Sequence, residues 1–238
     1  MDSIGYVALA RQSGLKREMQ VVAHNIANLS TTGFRREGVI FAEHVKALGR
    51  DEADLSMAHA HARSIDMTEG DLVRTGGGFD FAIRGAGFFT LDTPAGERLT
   101  RAGSFTPNEA GELVSPDGHR LLDAGGAPVF VPAQAGQIAL SDDGTLSADG
   151  QPIARLGVVV PLVPETLRRE GSALFATAEG VEPAPDARLM QGFLESSNVS
   201  PVLEIARMIE VQRAYELGQG FLEREDDRMR TVLQTLGR

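Results

Sequence analysis

Apolar residues recur at alternating spacings of three and four near both ends of the chain, and nowhere between. In residues 1–33 the seam runs through Ala8, Leu15, Met19, Val22, Ile26 and Leu29, with Gln12 completing the alternation. Asp2 or Ser3 stands where an N-cap belongs, and Gly33 follows Ser30-Thr31-Thr32 as a helix stop. A heptad seam of this kind predicts a helix that needs a partner helix. Residues 200–238 repeat the logic, with Ser200 as N-cap and Pro201 at the first helical position, where its missing N–H costs nothing. Ile205, Met208, Gln212, Tyr215, Gln219, Leu222, Asp226, Met229, Leu233 and Leu236 continue in strict alternation. Gln212, Gln219 and Asp226 recur seven apart and are polar, which costs burial energy unless each finds a hydrogen bond. Packing against several partners suits that pattern better than a simple dimer zipper.

The stretch from 34 to 78 has weak periodicity and reads as an extended or partly helical connector. From Phe79 to Phe175 the pattern becomes short strands, beginning with Phe79-Asp80-Phe81-Ala82-Ile83 and Gly87-Phe88-Phe89-Thr90-Leu91. Turn signals recur at Pro94-Ala95-Gly96, Asn108 to Gly111, Pro116-Asp117-Gly118, Asp142-Asp143-Gly144 and Ala148-Asp149-Gly150. Gly111 to Gly118 and Gly144 to Gly150 resemble each other weakly and read as two similar hairpins, not a solenoid repeat. Pro183 and Pro185 mark a linker back to the last helix. The predicted fold class is α+β: N- and C-terminal helices form a coiled-coil-like helical domain, with an all-β domain inserted. Its parts are the helix 1–33, the connector 34–78, the β domain 79–180, the linker and return segment 181–199, and the helix 200–238. Repeated about an axis by head-to-tail contacts that do not close, such a subunit makes a helical-cored tube with β domains outside.

Composition narrows the classes of function. A net charge of −10, with basic residues interspersed among acids, disfavours nucleic acid, since phosphate binding needs a concentrated basic surface. No apolar run approaches membrane-spanning length, and the first residues lack a basic region followed by an apolar stretch, so neither a membrane anchor nor a Sec-type signal is expected. The absence of cysteine excludes disulfides, thiol catalysis and Cys-ligated zinc.

Candidate chemistry is sparse. His59-Ala60-His61 with His44 lacks the spacing of a standard zinc motif, so no metal is expected. Ser104 lacks the second glycine of a nucleophile elbow, and Asp117 with His119 reads as a turn. Gly76-Gly77-Gly78 precedes a strand, not the helix a phosphate cradle needs, and Asp142-Asp143-Gly144 lacks the alternating oxygen ligands of a calcium loop. No convergent acid, base and nucleophile emerges, so the reading is of a protein that is not an enzyme and carries no cofactor. The alternative, a secreted enzyme or adhesin built on the β domain, calls for a stable monomer with a ligand pocket.

The segment Val21-Val22-Ala23-His24-Asn25-Ile26-Ala27-Asn28-Leu29-Ser30-Thr31-Thr32-Gly33-Phe34-Arg35-Arg36 resembles the N-terminal signature of the flagellar axial family of rod, hook and hook-associated proteins. Gln191 to Val199, followed by Met208-Ile209-Glu210-Val211-Gln212-Arg213-Ala214-Tyr215-Glu216, resembles the C-terminal signature of that family. Asp80 to Phe89 and Thr100-Arg101-Ala102-Gly103-Ser104-Phe105 resemble the β domain its rod and hook members share. Arg35 stands where the family more often has Lys. The resemblance implies a subunit of the basal-body rod, with a distal rod or hook-type axial protein as the alternative. It implies export by the flagellar type III apparatus and assembly, with copies of itself and other rod proteins, into the periplasmic drive shaft that carries torque. It further implies that the connector around 50–66 braces neighbouring subunits. The residues expected at assembly interfaces are Leu15, Met19, Val22, Asn25, Ile26, Asn28 and Leu29 near the start, with Asn198 at the return. On the last helix they are Ile205, Met208, Gln212, Tyr215, Leu222, Met229, Leu233 and Leu236. Asn25 and Asn28 are poor helix formers three apart, placed to hydrogen-bond where helices meet.

Overall fold

The structure is a computed structural model that describes the backbone of residues 3–46 and 55–236 and the side chains of 7–40, 64–232, 234 and 235. The chain divides into two compact units. Unit 1 gathers Met1–Ala27, Glu37–Asp66 and Ser200–Arg238, and unit 2 gathers Asn28–Arg36 and Met67–Val199. The architecture is α+β, with a β-rich unit inserted between terminal helices.

Unit 1 contains α1 (Ser3–Ala27), β1 (Glu37–Lys46), β2 (Leu55–Ile65) and α2 (Pro201–Leu236). Helix α2 opens as its sequence dictates: Pro201 is its first residue, and the Glu204 N–H reaches the Ser200 carbonyl at 3.1 Å. The helices run antiparallel, with Asn25 beside Glu204, Glu18 beside Arg207 and Gln12 beside Tyr215. The line of α2 that turns inward is Glu204, Met208, Val211, Tyr215, Gly218, Leu222, Glu225 and Met229. At every second position this differs by one residue from the seam expected above. Ile205, Gln212, Gln219 and Asp226 are exposed, because α2 rotates to hand these amides and the carboxylate to water while Val211 and Gly218 close on α1. On α1 the most buried residues are Gln12, Gly14, Glu18, Val21, Val22 and Asn25, with Leu15, Met19 and Ile26 half-buried beside them.

The stretch expected to be a connector contains a ribbon. Strands β1 and β2 pair antiparallel from Glu37↔Ile65 to Lys46↔Leu55, with an irregularity between Ile40 and Phe41, and both pack on α1. Alanines alternating with His59 and His61 give β2 little apolar contrast, so its period of two was hidden from sequence reading. The side chains of His44, His59 and His61 lie outside the described residues.

Unit 2 is built from short strands. Its first group is β3 (Leu72–Arg74), β4 (Phe81–Arg84), β5 (Phe89–Thr93), β6 (Gly96–Thr100), β7 (Thr106–Pro107), β8 (Leu113–Val114) and β9 (Arg120–Leu121). The second is β10 (Ile138–Leu140), β11 (Thr145–Ala148), β12 (Gln151–Arg155), β13 (Val159–Pro161), β14 (Arg168–Glu170), β15 (Leu174–Ala176), β16 (Val181–Pro183), β17 (Arg188–Gln191) and β18 (Phe193–Glu195). A seven-stranded sheet has the order β14-β15-β6-β5-β9-β8-β7, and β10-β11-β12 make a three-stranded one. Three antiparallel pairs complete the unit: β13 with β16, β17 with β4, and β18 with β3. The two similar hairpins form β8–β9 and β11–β12.

The return segment 181–199, expected as a linker, therefore contains three strands, and β3 draws the end of the expected connector into the same unit. Pro183 caps a strand end instead of breaking the chain out of the sheet, and Leu189 is buried in the core. That core is Phe81, Ile83, Phe89, Leu91, Phe105, Leu113, Leu121, Val129, Val131, Leu146, Leu156 and Leu189. Strand β5 shows the alternation that builds it: Phe89, Leu91 and Thr93 point in, while Thr90 and Asp92 are half-exposed. The chain crosses the β4 region so closely at Gly103 that an added Cβ would fall 1.6 Å from the Phe81 carbonyl oxygen. Gly103→Ala is expected to destabilise unit 2 by at least about 3 kcal/mol through forced backbone shifts. Urea unfolding followed by far-UV circular dichroism checks this, and a midpoint equal to that of the parent would refute the close approach.

Candidate functional site

The segment Asn28–Arg36, which carries the N-terminal motif out of α1, is fixed inside unit 2 by backbone geometry and by buried charge. The Asn28 carboxamide oxygen accepts the Thr31 hydroxyl at 3.0 Å, and the Thr31 N–H reaches the Asn28 carbonyl, making a tight turn. Gly33 has φ +67°, and a Cβ there would lie 2.3 Å from the Arg101 carbonyl carbon, so both conformation and space demand glycine. Phe34 is fully buried. The Arg169 guanidinium lies 4.3 Å from the Phe34 ring centroid and 4.7 Å from that of Phe175, and donates to the Arg35 carbonyl.

Glu195, at the end of β18, is the centre of the charged network. Its Oε1 lies 2.5 Å from Arg35 and accepts the Gly70 N–H at 2.9 Å, while Oε2 accepts Arg101 Nε at 2.7 Å. The Glu195 carbonyl accepts the Gly33 N–H at 2.8 Å. Arg101 spends its other N–H groups on the carbonyls of Gly85, Gly87 and Ile83, at 3.0, 2.7 and 3.2 Å. Burial pushes the Arg35 guanidinium below its ordinary pKa; Glu195 opposes that shift, Arg101 adds to it, and Glu69 opposes it again. The group still carries its charge at any physiological pH.

Asn198 stitches the outgoing and returning chain together. Its Oδ1 accepts the Arg36 N–H at 2.6 Å, its Nδ2 donates to the Thr68 carbonyl at 2.9 Å, and its own N–H reaches the Phe34 carbonyl at 3.3 Å. Asn25 performs the matching task within unit 1. It accepts the Glu37 N–H at 2.9 Å and donates to the Glu37 carbonyl at 2.8 Å, fixing the start of β1 against α1, and it also donates to Glu204 Oε2 at 3.1 Å. Asn25 and Glu204 are both 0% exposed. His24 Nδ1 lies 3.5 Å from the Glu37 carboxylate.

The residues expected at assembly interfaces thus divide into groups. Asn25, Asn28 and Asn198 are structural stitches; Val22 is buried; Leu15, Met19, Ile26, Leu29, Met208, Tyr215, Leu222 and Met229 are half-buried; Ile205 and Gln212 are exposed. The side chains of Leu233 and Leu236 lie outside the described residues. Sequence reading missed Glu195, Arg101, Glu204, Glu37 and Arg169. The available signal was a lone acid within the apolar Gly192-Phe193-Leu194-Glu195 run and a lone base within Thr100-Arg101-Ala102-Gly103, at or just past a strand end where burial demands a partner.

The positions weighed for chemistry are occupied by turns and ladders. Ser104 bridges to Asp80, and the Ser115 hydroxyl and backbone close the turn that carries Asp117 and His119. Asp143 accepts the Thr145 N–H and hydroxyl, each at 3.1 Å, as a hairpin turn does. Among the described residues no group of three or more His, Cys, Asp or Glu is arranged to hold a metal ion, and no helix is long and apolar enough to cross a membrane.

Residues 6–35 match the family described as flagella basal body rod protein, 82–148 the D1 domain of flagellar hook protein FlgE/F/G, and 190–235 the C-terminal part of flagellar basal body rod FlgEFG protein. A flagellar basal-body rod protein FlgF of Caulobacter vibrioides is 38% identical over 100% of this chain and 99% of the relative. A FlgF of Mesorhizobium japonicum is 39% identical over 99% and 98%. A FlgG rod protein of Bacillus subtilis is 28% identical over 97% and 96%.

The buried network yields a direct expectation. Glu195→Gln leaves two buried guanidiniums without their shared counter-ion and is expected to destabilise unit 2 by about 3–5 kcal/mol. Chemical denaturation measures the difference, and a loss under about 1 kcal/mol would show that Glu195 does not compensate the pair.

Proposed function

The chain belongs to the flagellar basal-body rod protein family, and from that premise we propose that it builds the rod through the flanks of α2 that its own α1 leaves open. It is a structural subunit of the rod in the flagellar basal body, and it assembles with other flagellar axial proteins. The observation that carries the finer reading is the set of exposed apolar side chains on α2: Val202 at 75%, Leu203 at 68%, Leu217 at 74%, with Ile205, Ile209, Phe221 and Val232 also exposed. Counted at 100° per residue from the α1-facing line, Val202, Ile205 and Ile209 fall on one flank and Leu203, Leu217 and Phe221 on the other. Helices of neighbouring subunits, copies of this chain and other rod proteins alike, cover these flanks. Gln212 and Gln219 lie beside the first flank as hydrogen-bonding groups for those neighbours, and the exposed parts of the half-buried Leu15, Met19 and Ile26 on α1 extend the surface.

The partner set includes the flagellar type III export apparatus, and the reading requires neither nucleic acid nor a membrane anchor. The subunit is passive: it carries torque through packed geometry in the periplasmic shaft and performs no catalysis. Its rod position is that of the FlgF-named relatives, supported by 36–39% identity to three of them against 27–28% to the FlgG-named ones.

Ile209→Asp and Leu217→Asp separate assembly from folding. Both sites are on the surface of the isolated chain, so each substitution is expected to change its stability by no more than about 0.5 kcal/mol. In a strain lacking the native copy, each is expected to abolish swimming and leave incomplete rods. Complete rods in both strains would remove the flanks of α2 from the assembly.

A further inference from the structure

The α1–α2 contact of unit 1 carries polar rungs between its apolar residues. At one end Gln12, 8% exposed, lies over Gly218: Nε2 donates to the Tyr215 carbonyl at 2.8 Å, and a Cβ on Gly218 would fall 2.2 Å from that nitrogen. The Gln12 Oε1 is buried with no hydrogen-bond partner among the described residues, a cost that an apolar side chain would not carry. Midway, Arg207, an exposed side chain that also pairs with Glu210, donates through Nε at 2.6 Å to Glu18, which is 8% exposed. At the other end the buried Asn25 donates to the buried Glu204.

Apolar contacts alone leave one other alignment of the two helices open. Sliding α2 by one heptad, about 10 Å, brings Tyr215, Leu222 and Met229 to the places of Met208, Tyr215 and Leu222, whereas the opposite slide already sets Glu204 in the place of Val211. The polar rungs do not survive the slide. One heptad one way sets Glu225 in place of Gly218 over Gln12, Ala214 in place of Arg207 beside Glu18, and Val211 in place of Glu204 beside Asn25. One heptad the other way supplies Val211, Ser200 and Ser197. We propose that Gln12–Gly218, Glu18–Arg207 and Asn25–Glu204 form a register lock that permits one alignment of α1 on α2. The lock is inside a single chain, and only its consequence rests on the rod reading: a slipped helix would displace every exposed side chain of α2 by about 10 Å.

The chain has no cysteine, so Lys16→Cys and Glu223→Cys, both at exposed positions, accept paired nitroxide labels in the full chain without interference. Pulsed electron–electron double resonance is expected to give one narrow distance in the parent. Gln12→Leu combined with Gly218→Ala replaces a polar rung by an apolar one. It is expected to keep the helical circular dichroism signal and to add a second distance displaced by up to about 10 Å, one heptad of helix rise. Glu18→Arg is expected to broaden the distribution, and adding Arg207→Glu to narrow it again. A single unshifted distance in both the Gln12→Leu/Gly218→Ala and the Glu18→Arg chains overturns the lock, as does a broad distribution in the parent. Because the labels read the isolated subunit, complete rods built from the Ile209→Asp and Leu217→Asp chains would count against the assembly surface and leave the lock untouched.

Discussion

A carboxylate removed from water must be met by hydrogen bonds and positive charge, and that demand, made by Glu195, organises the most distant parts of unit 2. Its two oxygens and its carbonyl draw in Arg35 and Gly33 from the segment after α1, Gly70 from before β3, and Arg101 from after β6. These positions are remote in sequence, so none of them is fixed by local propensity. Arg101 then passes the constraint on, because its fork closes the carbonyls of Ile83 within β4 and of Gly85 and Gly87 beyond it. Two guanidiniums on one carboxylate leave a surplus positive charge, and Glu69, 3.9 Å from Arg101 and partly exposed, offsets it from the rim. Apolar residues of the same volume would fill this space with similar stability. They would not fix the direction in which each chain segment leaves it.

What the sequence made legible follows from how local each signal is. The start of α2 was legible, since Ser200 and Pro201 act within a single turn. The α+β layout and the paired hairpins were also accessible, because turn residues and strand alternation are short-range. The face that α2 presents was not, since two alternations displaced by one residue share Met208, Tyr215, Leu222 and Met229. Only the partner helix chooses between Val211 and Gln212, or Gly218 and Gln219. The ribbon of β1 and β2 escaped notice for a different reason: alanine and histidine in alternation carry almost no hydrophobic contrast. The return segment looked like a linker because Pro183 and Pro185 dominate its composition, whereas Leu189, which enters the core, is one residue among several polar ones.

Why the motif uses asparagine, and uses it on both sides of the inserted unit, becomes clear from the bonds made. An amide side chain has the donor and acceptor of a peptide group, so Asn25 pairs with the backbone of Glu37 as a strand neighbour would, though it stands on a helix. Asn198 does the same for Arg36 and Thr68. Aspartate in either place would keep the acceptor and lose the donor, and at Asn25 it would set a third carboxylate among Glu37 and Glu204. Leucine would fill the space and leave backbone groups unmet. For a subunit whose work is to hold a shape under load, the distinction matters. Apolar contact is non-directional and tolerates sliding, whereas a hydrogen bond to a named backbone atom resists it. The helices supply cohesion through their apolar faces, and the buried amides and charges at their seam and in unit 2 supply the fixed geometry that repetition along a shaft requires.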